Sequence, residues 1–209
     1  MIRLLLVDDH TMFREGLKQI LAGYGEISVV AEARDGVEAL EAVRAQELDV
    51  VVLDLSMPNR GGLETLADIR RSAPSLRVLV LSMHPENQYA IRVLRAGASG
   101  YLSKESAAEE LVAAIRTVAG GRRFLTADVA ERLVDELASP GSFDPHLQLS
   151  DREFQVFTLL ASGCMLGEIG EQLGISDKTV TTYRARLLEK LGLRNNVELT
   201  KYAIERGLV

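Results

Sequence analysis

Short apolar runs recur along the first part of the chain at Leu4–Val7, Ile27–Ala31, Val50–Leu53, Val78–Leu81 and Gly100–Leu102. They are rich in Val, Leu and Ile and too short for helices, the pattern of strands buried on both faces. Between them the apolar spacing changes to three and four, as in Phe13, Leu17, Ile20 and Leu21, or Leu111, Val112, Ile115 and Val118. That spacing lines one face of a helix. Five strands alternating with five helices predict an α/β fold with a doubly wound, five-stranded parallel sheet. Such sheets hold ligands outside the carboxyl ends of the strands, where strand order reverses.

The pattern changes after Gly120-Gly121. Residues 126–138 predict one amphipathic helix within a linker, 121–145, whose end carries the breaker cluster Ser139-Pro140-Gly141-Ser142. Residues 146–209 contain no strand-like run and three helix starts: Ser150-x-x-Glu153, Asn195-x-x-Glu198, and Ser176 as a cap. A short helix over Leu166–Leu173, a turn at Gly174-Ile175-Ser176 and a longer helix over Asp177–Leu191 read as a helix-turn-helix. The predicted organisation is therefore a domain over 1–120, the linker, and a small all-α domain over 146–209.

At 209 residues the chain exceeds the size of one common domain, about 100–150 residues, which agrees with that division. A net charge of −6 excludes a global positive field, so nucleic acid would have to be held by a local patch. Cys164 is the single cysteine, which rules out an internal disulfide and fits a reducing cytoplasm. No apolar run approaches the roughly 18 residues that span a bilayer, and a cytoplasmic location with no membrane partner is expected.

Chemistry concentrates at the predicted strand ends. Asp8 and Asp9 follow the first apolar run and Asp54 follows the third, so three carboxylates converge on one edge of the sheet. They repel unless a cation compensates, and oxygen-only donors suit Mg²⁺ or Mn²⁺. Ser82 and Lys104 follow the fourth and fifth runs and reach the same edge. A hydroxyl, an ammonium and a divalent cation around a carboxylate can hold a phosphoryl group, which makes Asp54 the candidate nucleophile. His10, His84 and His146 share no ligand spacing and read as solvated loop residues.

Residues 1–120 resemble a receiver domain of a two-component response regulator, through VDD, LDLSMPNRGG with Pro58 and Gly62, LSMH and RAGASGYLSKE. The resemblance implies that Asp54 is the phospho-acceptor. Asp8, Asp9, Asp54 and the backbone carbonyl of Ser56 would hold the cation, Lys104 would contact the phosphoryl group, and Ser82 and Tyr101 would form a switch pair. It also implies a partner histidine kinase and a shift of the surface from His84 to Tyr89. Many receivers place Pro after this Lys, where this chain has Glu105.

In the tail, eight Lys/Arg balance eight Asp/Glu from His146 onward, but four basic residues face two acidic ones between Ser176 and Leu191. Projected at about 100° per residue, Val180, Tyr183, Leu187, Leu188 and Leu191 face the core. Lys178, Thr181, Thr182, Ala185 and Arg186 lie opposite, where a groove of double-stranded DNA would be read. Arg184 projects into the apolar stripe, so its head is expected to snorkel to a phosphate or an acid. LSDRE, EIGEQLGIS, KTVTTYRARLLEKLGL and NNVELTKYAI resemble the LuxR-type helix-turn-helix of the NarL/FixJ response regulators. That resemblance implies a homodimer through the last helix, with Val197, Leu199, Tyr202 and Ala203 as candidates, although the same residues could be intradomain core.

The two resemblances together imply a transcription regulator switched by Mg²⁺-dependent phosphorylation of Asp54, whose enzymology is confined to accepting and hydrolysing its own aspartyl phosphate. The alternatives are a receiver whose tail binds only protein or RNA, and an aspartate-nucleophile phosphatase or phosphotransferase. Such enzymes usually carry a second Asp two residues after the nucleophile, where this chain has Ser56.

Overall fold

A computed structural model describes residues 1–57, 61–83, 86–138 and 145–209. The expectations on Pro58, on His84 and on the Ser139–Ser142 breaker lie outside these residues. Parallel strands need crossover connections, and the chain alternates β1 (Ile2–Val7), α1 (Thr11–Ala22), β2 (Ile27–Ala33), α2 (Gly36–Ala45), β3 (Val50–Leu53), α3 (Gly62–Ser72), β4 (Arg77–Ser82), α4 (Glu86–Arg95), β5 (Gly100–Ser103) and α5 (Ala108–Ala119). The described residues form a five-stranded parallel sheet in the order β2-β1-β3-β4-β5. Alternation sends Leu4, Leu6, Val50, Val52, Leu79, Leu81 and Leu102 to one face, against Leu17 and Leu21 of α1 and Leu111, Ile115 and Val118 of α5. Leu5, Val7, Val51, Leu53, Val80 and Tyr101 take the other face and are equally buried. Each such aliphatic side chain contributes about 1.5–3 kcal/mol on burial.

Strand order reverses between β1 and β3, because the chain leaves β1 toward β2 on one side and adds β3 on the other. Val7 pairs with Leu53 at the ends of these strands, and the Asp54 N–H donates to the Val7 carbonyl at 2.9 Å. Asp8 and Asp54 are thus the first residues past paired strand ends at the reversal.

The chain divides into two compact units, Met1–Val134 and Asp135–Val209. The stretch expected as linker is partly structured: Phe124 bridges Gly100 of β5 and packs on the sheet core, and α6 (Ala127–Ala138) follows. The second unit holds a 3-10 turn (Pro145–Gln148), α7 (Asp151–Ala161), α8 (Leu166–Leu173), α9 (Asp177–Leu191) and α10 (Asn196–Glu205). Phe154, Phe157, Ile169, Val180, Leu187, Leu199 and Ala203 form its interior. Ser150 and Glu153 make the expected capping box at the start of α7. Glu153 is buried and also accepts from Lys190 Nζ at 2.7 Å, tying α7 to the end of α9. Burial opposes its charge, but Lys190 and the Ser150 N–H hold its carboxyl below the ordinary value. At α10 the box is displaced: Asn195 caps Glu198 N–H, while Glu198 accepts from Arg194 instead of Asn195.

The α8–α9 turn depends on two glycines. Gly174 has φ +64°, a left-handed conformation that ends α8. A Cβ on Gly170 would stand 2.7 Å from the Ile175 carbonyl oxygen, so only glycine admits the close return of the chain.

Candidate functional site

The crevice at the strand reversal gathers Asp8, Asp9 and Asp54 with Lys104. Lys104 Nζ donates to Asp8 Oδ2 at 2.7 Å and to Asp54 Oδ2 at 2.8 Å, and all three side chains are at most 6% exposed. The ammonium also lies 4.7 Å from the centre of the Phe13 ring. Lys104 reaches the crevice because its N–H donates to the Ser82 carbonyl, extending the β4–β5 ladder by one residue. Glu105, where many receivers have proline, donates its N–H to Ser103 Oγ at 3.2 Å. A proline has no N–H to give there.

Asp54 Oδ1 accepts the Ser56 N–H at 3.2 Å. The loop that carries Asp54 is seated by α3: Gly62 N–H donates to the Leu55 carbonyl, and a Cβ on Gly62 would collide with the Asp54 carbonyl oxygen and stand 2.6 Å from Leu55 Cα. Gly62 is required by this close approach. Ser82 and Tyr101 are buried near the same strand ends. In the register that pairs Val80 with Tyr101 and Ser82 with Ser103, they lie on one face of the sheet as diagonal neighbours.

One ammonium shared by two carboxylates does not neutralise the site. Burial pushes the Asp54 carboxyl above its ordinary value, and the Asp8 charge adds to this against the opposing pull of Lys104. Burial alone would lower the Lys104 ammonium, yet Asp54 and Asp8 hold it above its ordinary value. Asp9 Oδ1 is buried and accepts no hydrogen bond of good geometry, its nearest basic atom being His10 Nδ1 at 3.0 Å. One donor atom from each of Asp8, Asp9, His10 and Asp54 lies within 4.8 Å of the others. Converging carboxylates, one with an unpartnered buried oxygen, fit a hard divalent cation.

The second unit presents α9. Lys178, Thr181, Thr182, Ala185 and Arg186 are exposed along one face, while Val180, Leu187, Leu188 and Leu191 are buried and Tyr183 is half-buried. Thr181 and Thr182 donate their hydroxyls to the carbonyls of Asp177 and Lys178, at 2.8 and 2.9 Å. Their hydroxyl protons are engaged within the helix, so each side chain offers a methyl and acceptor lone pairs to a ligand.

Two families match this chain. Residues 4–116 match the response regulator receiver domain, and residues 147–203 match the bacterial regulatory proteins of the luxR family. The chain belongs to the response regulators with a LuxR-type output domain. The response regulator UvrY of Escherichia coli K12 is 42% identical over 209 residues, covering all of this chain and 96% of its relative. The response regulator GacA of Pseudomonas aeruginosa is 38% identical over 210 residues, covering all of this chain and 98% of its relative. Among solved structures, RcsB from Salmonella enterica serovar Typhimurium, bound to promoter rprA in the presence of the phosphomimetic BeF3−, is 25% identical with a TM-score of 0.62, over 96% of this chain and 97% of that one. This regulator is thus a transcription regulator of a two-component system with a DNA-binding domain, and no helix among its described residues is long and apolar enough to cross a membrane.

Three expectations change in the regulator. Arg184 donates its Nε to Asn196 Oδ1 at 2.6 Å, so a neutral amide at the start of α10 takes the head expected to seek an acid or phosphate. Leu199 and Ala203 are fully buried within the second unit and have no surface to offer a second copy. Tyr202 is half-buried, with an edge contact to Phe157. Of the four residues expected at a dimer interface, Val197 alone is exposed, at 78%. His146 is not solvated: it is buried, and its Nδ1 lies 3.0 Å from the Tyr202 hydroxyl. His10 is exposed as expected, but its position over the acids, like the role of Gly62, was not foreseen. The direct sign was adjacency, since His10 follows Asp8-Asp9 in sequence.

Proposed function

We propose that this regulator is switched by phosphoryl transfer from a partner histidine kinase to Asp54, and that the phosphorylated chain binds double-stranded DNA as a homodimer through α9. The observation that carries the reading is the Asp54 carboxylate, buried at the strand reversal and held by Lys104 within the acid cluster. Asp8, Asp9, Asp54 and the Ser56 carbonyl would hold Mg²⁺ or Mn²⁺, which when bound offsets the charge of the incoming phosphoryl oxygens. A carboxylate oxygen of Asp54 forms a bond to phosphorus while the bond from phosphorus to the donor's leaving atom breaks, the electron pair leaving with the donor. Lys104, already 2.8 Å from Asp54 Oδ2, exchanges that oxygen for a phosphoryl oxygen. Ser82 donates its hydroxyl to the new group, and Tyr101 follows into the space behind it. The modification adds about −1.5 to −2 charges to a site with a surplus of acids. Water later cleaves the acyl phosphate in the same pocket, which returns Asp54 and makes self-hydrolysis the chain's own enzymology. The fold-level division into a receiver over 1–120, a linker and an output domain over 146–209 is part of this reading, as is work in the cytoplasm.

On DNA, Lys178 and Arg186 supply phosphate contacts at the two ends of the exposed α9 face. Thr181, Thr182 and Ala185 between them present methyls that suit the thymine methyl. Arg184 positions α10 through Asn196 and keeps its remaining N–H groups for the backbone.

Incubation with a small acyl-phosphate donor and Mg²⁺ tests the acceptor. Intact-mass measurement should find one base-labile phosphate per wild-type chain and none on Asp54→Asn. A phosphate persisting on Asp54→Asn would eliminate Asp54 as acceptor.

A further inference from the structure

Among the described residues, the acidic crevice contains one candidate metal ligand that is not oxygen. His10 caps the start of α1 with an extended backbone, φ −85° and ψ 97°, and its N–H donates to Asp8 Oδ1 at 2.7 Å. This short bond fixes the backbone so that the ring returns over the acids. Nδ1 then lies 3.2 Å from Asp8 Oδ1 and 3.0 Å from Asp9 Oδ1, while the side chain stays 65% exposed. The imidazole is therefore anchored on the acid side and open on the solvent side, where a hydrated ion would enter. As the neutral Nδ1–H tautomer it donates to Asp8 Oδ1. With the proton on Nε2 instead, Nδ1 offers a lone pair to the space shared with Asp8, Asp9 and Asp54.

We infer that His10 converts the crevice into a site that also takes a borderline divalent transition metal, with Nδ1 as a ligand beside the carboxylates of Asp8, Asp9 and Asp54. The inference rests on the reading of the crevice as a divalent-cation site and adds the choice of metal. Imidazole favours Co²⁺, Ni²⁺ and Zn²⁺ over Mg²⁺, which prefers oxygen donors and keeps its water. A carboxylate–imidazole set thus has two classes of occupant, separated by one residue. Both occupants share the three carboxylates, Asp54 among them, and the transition metal adds Nδ1, so the two classes compete for one site.

The test uses the full chain and Co²⁺, whose visible absorption reports nitrogen ligation, with Mg²⁺ binding followed by titration calorimetry. Wild type should bind Co²⁺ more tightly than Mg²⁺, with a spectrum perturbed by the ligand nitrogen. His10→Ala should weaken Co²⁺ by about tenfold or more, the scale of losing a group that supports a metal site, and should leave Mg²⁺ affinity within about twofold. His10→Gln, which restores polarity without a strong ligand, should behave like the alanine variant. Asp54→Asn should weaken Co²⁺ as well, which ties the spectrum to the crevice and not to Cys164 or another histidine. Equal Co²⁺ affinity and an unchanged spectrum in His10→Ala would overturn the inference while leaving the cation reading intact. Failure of wild type to bind either metal would overturn both.

Discussion

Replacing Asp54 by Asn should stabilise the first unit in the absence of divalent cations, although it removes a hydrogen-bonded ion pair. Among the described residues, Asp54 has carboxylate neighbours in Asp8 and Asp9 with donor atoms within 4.8 Å, and one cationic partner, Lys104, at 2.8 Å. At an effective dielectric of about 20, each repulsion is at least about 3.5 kcal/mol and the attraction about 6 kcal/mol. The two repulsions together at least offset the attraction, and desolvation of a carboxylate that is 1% exposed adds to them. Asn removes that penalty, and Lys104 keeps Asp8 as a partner. We expect a gain of about 1–3 kcal/mol, which is roughly 3–10 °C in the melting temperature of a unit of this size. The assay is thermal unfolding in EDTA from pH 8 to pH 5, following the first unit. Because burial raises the Asp54 carboxyl above its unfolded value, wild-type stability falls as pH rises through the folded pKa. The advantage of the Asn variant should therefore be full at pH 8 and close as the pH falls. Mg²⁺ should stabilise wild type more than the variant. A variant less stable than wild type at pH 8 in EDTA, or a gap that does not change with pH, would refute the reasoning.

Gly62→Ala places a methyl against the Asp54 carbonyl and Leu55 Cα. The obstacles are backbone atoms, so about 1–3 kcal/mol of stability should be lost, and phosphate incorporation at Asp54 should slow as the loop moves, measured by intact mass against time. Arg186→Ala should weaken binding to all duplexes about equally and lessen its salt dependence, whereas Thr182→Ala should alter sequence preference, both read by titration of labelled DNA. With its hydroxyl bonded back to Lys178, Thr182→Val should keep affinity better than Thr182→Ser. Glu153→Gln should destabilise the second unit by about 1–2 kcal/mol at pH 7. Its lowered folded pKa means that this contribution is present above the unfolded value and lost as pH falls through the folded one, so wild type and variant should converge on acidification.

The sheet was legible because parallel strands buried on both faces carry unbroken apolar runs, and β3 matches its run residue for residue. β2 extends past its run to Glu32 and Ala33, because pairing with Leu6 and Val7 continues after the hydrophobic signal stops. The acids were legible because strand ends in such a sheet share one edge. Lys104 was found by the same logic, with Glu105 and Ser103 supplying the turn that carries it. What escaped the sequence depends on tertiary return. Gly62 matters through contact with backbone that lies beyond its own helix, and Arg184 meets Asn196 across a helix junction. On α10, period alone does not say which side faces a partner and which faces the interior, and Leu199 and Ala203 turned out to face the interior. His146 could not be distinguished from a solvated linker residue until α10 brought Tyr202 against it.

The central claim is that chemistry at Asp54 governs DNA binding by α9. It is tested most directly by selecting a duplex with acyl-phosphate-treated protein and measuring its affinity for treated and untreated wild type beside treated Asp54→Asn. Tighter binding by treated wild type alone, lost when the phosphate is removed by mild base, is the predicted result. Equal affinity for all three, with mass measurement confirming full phosphorylation of the treated wild type, would contradict it.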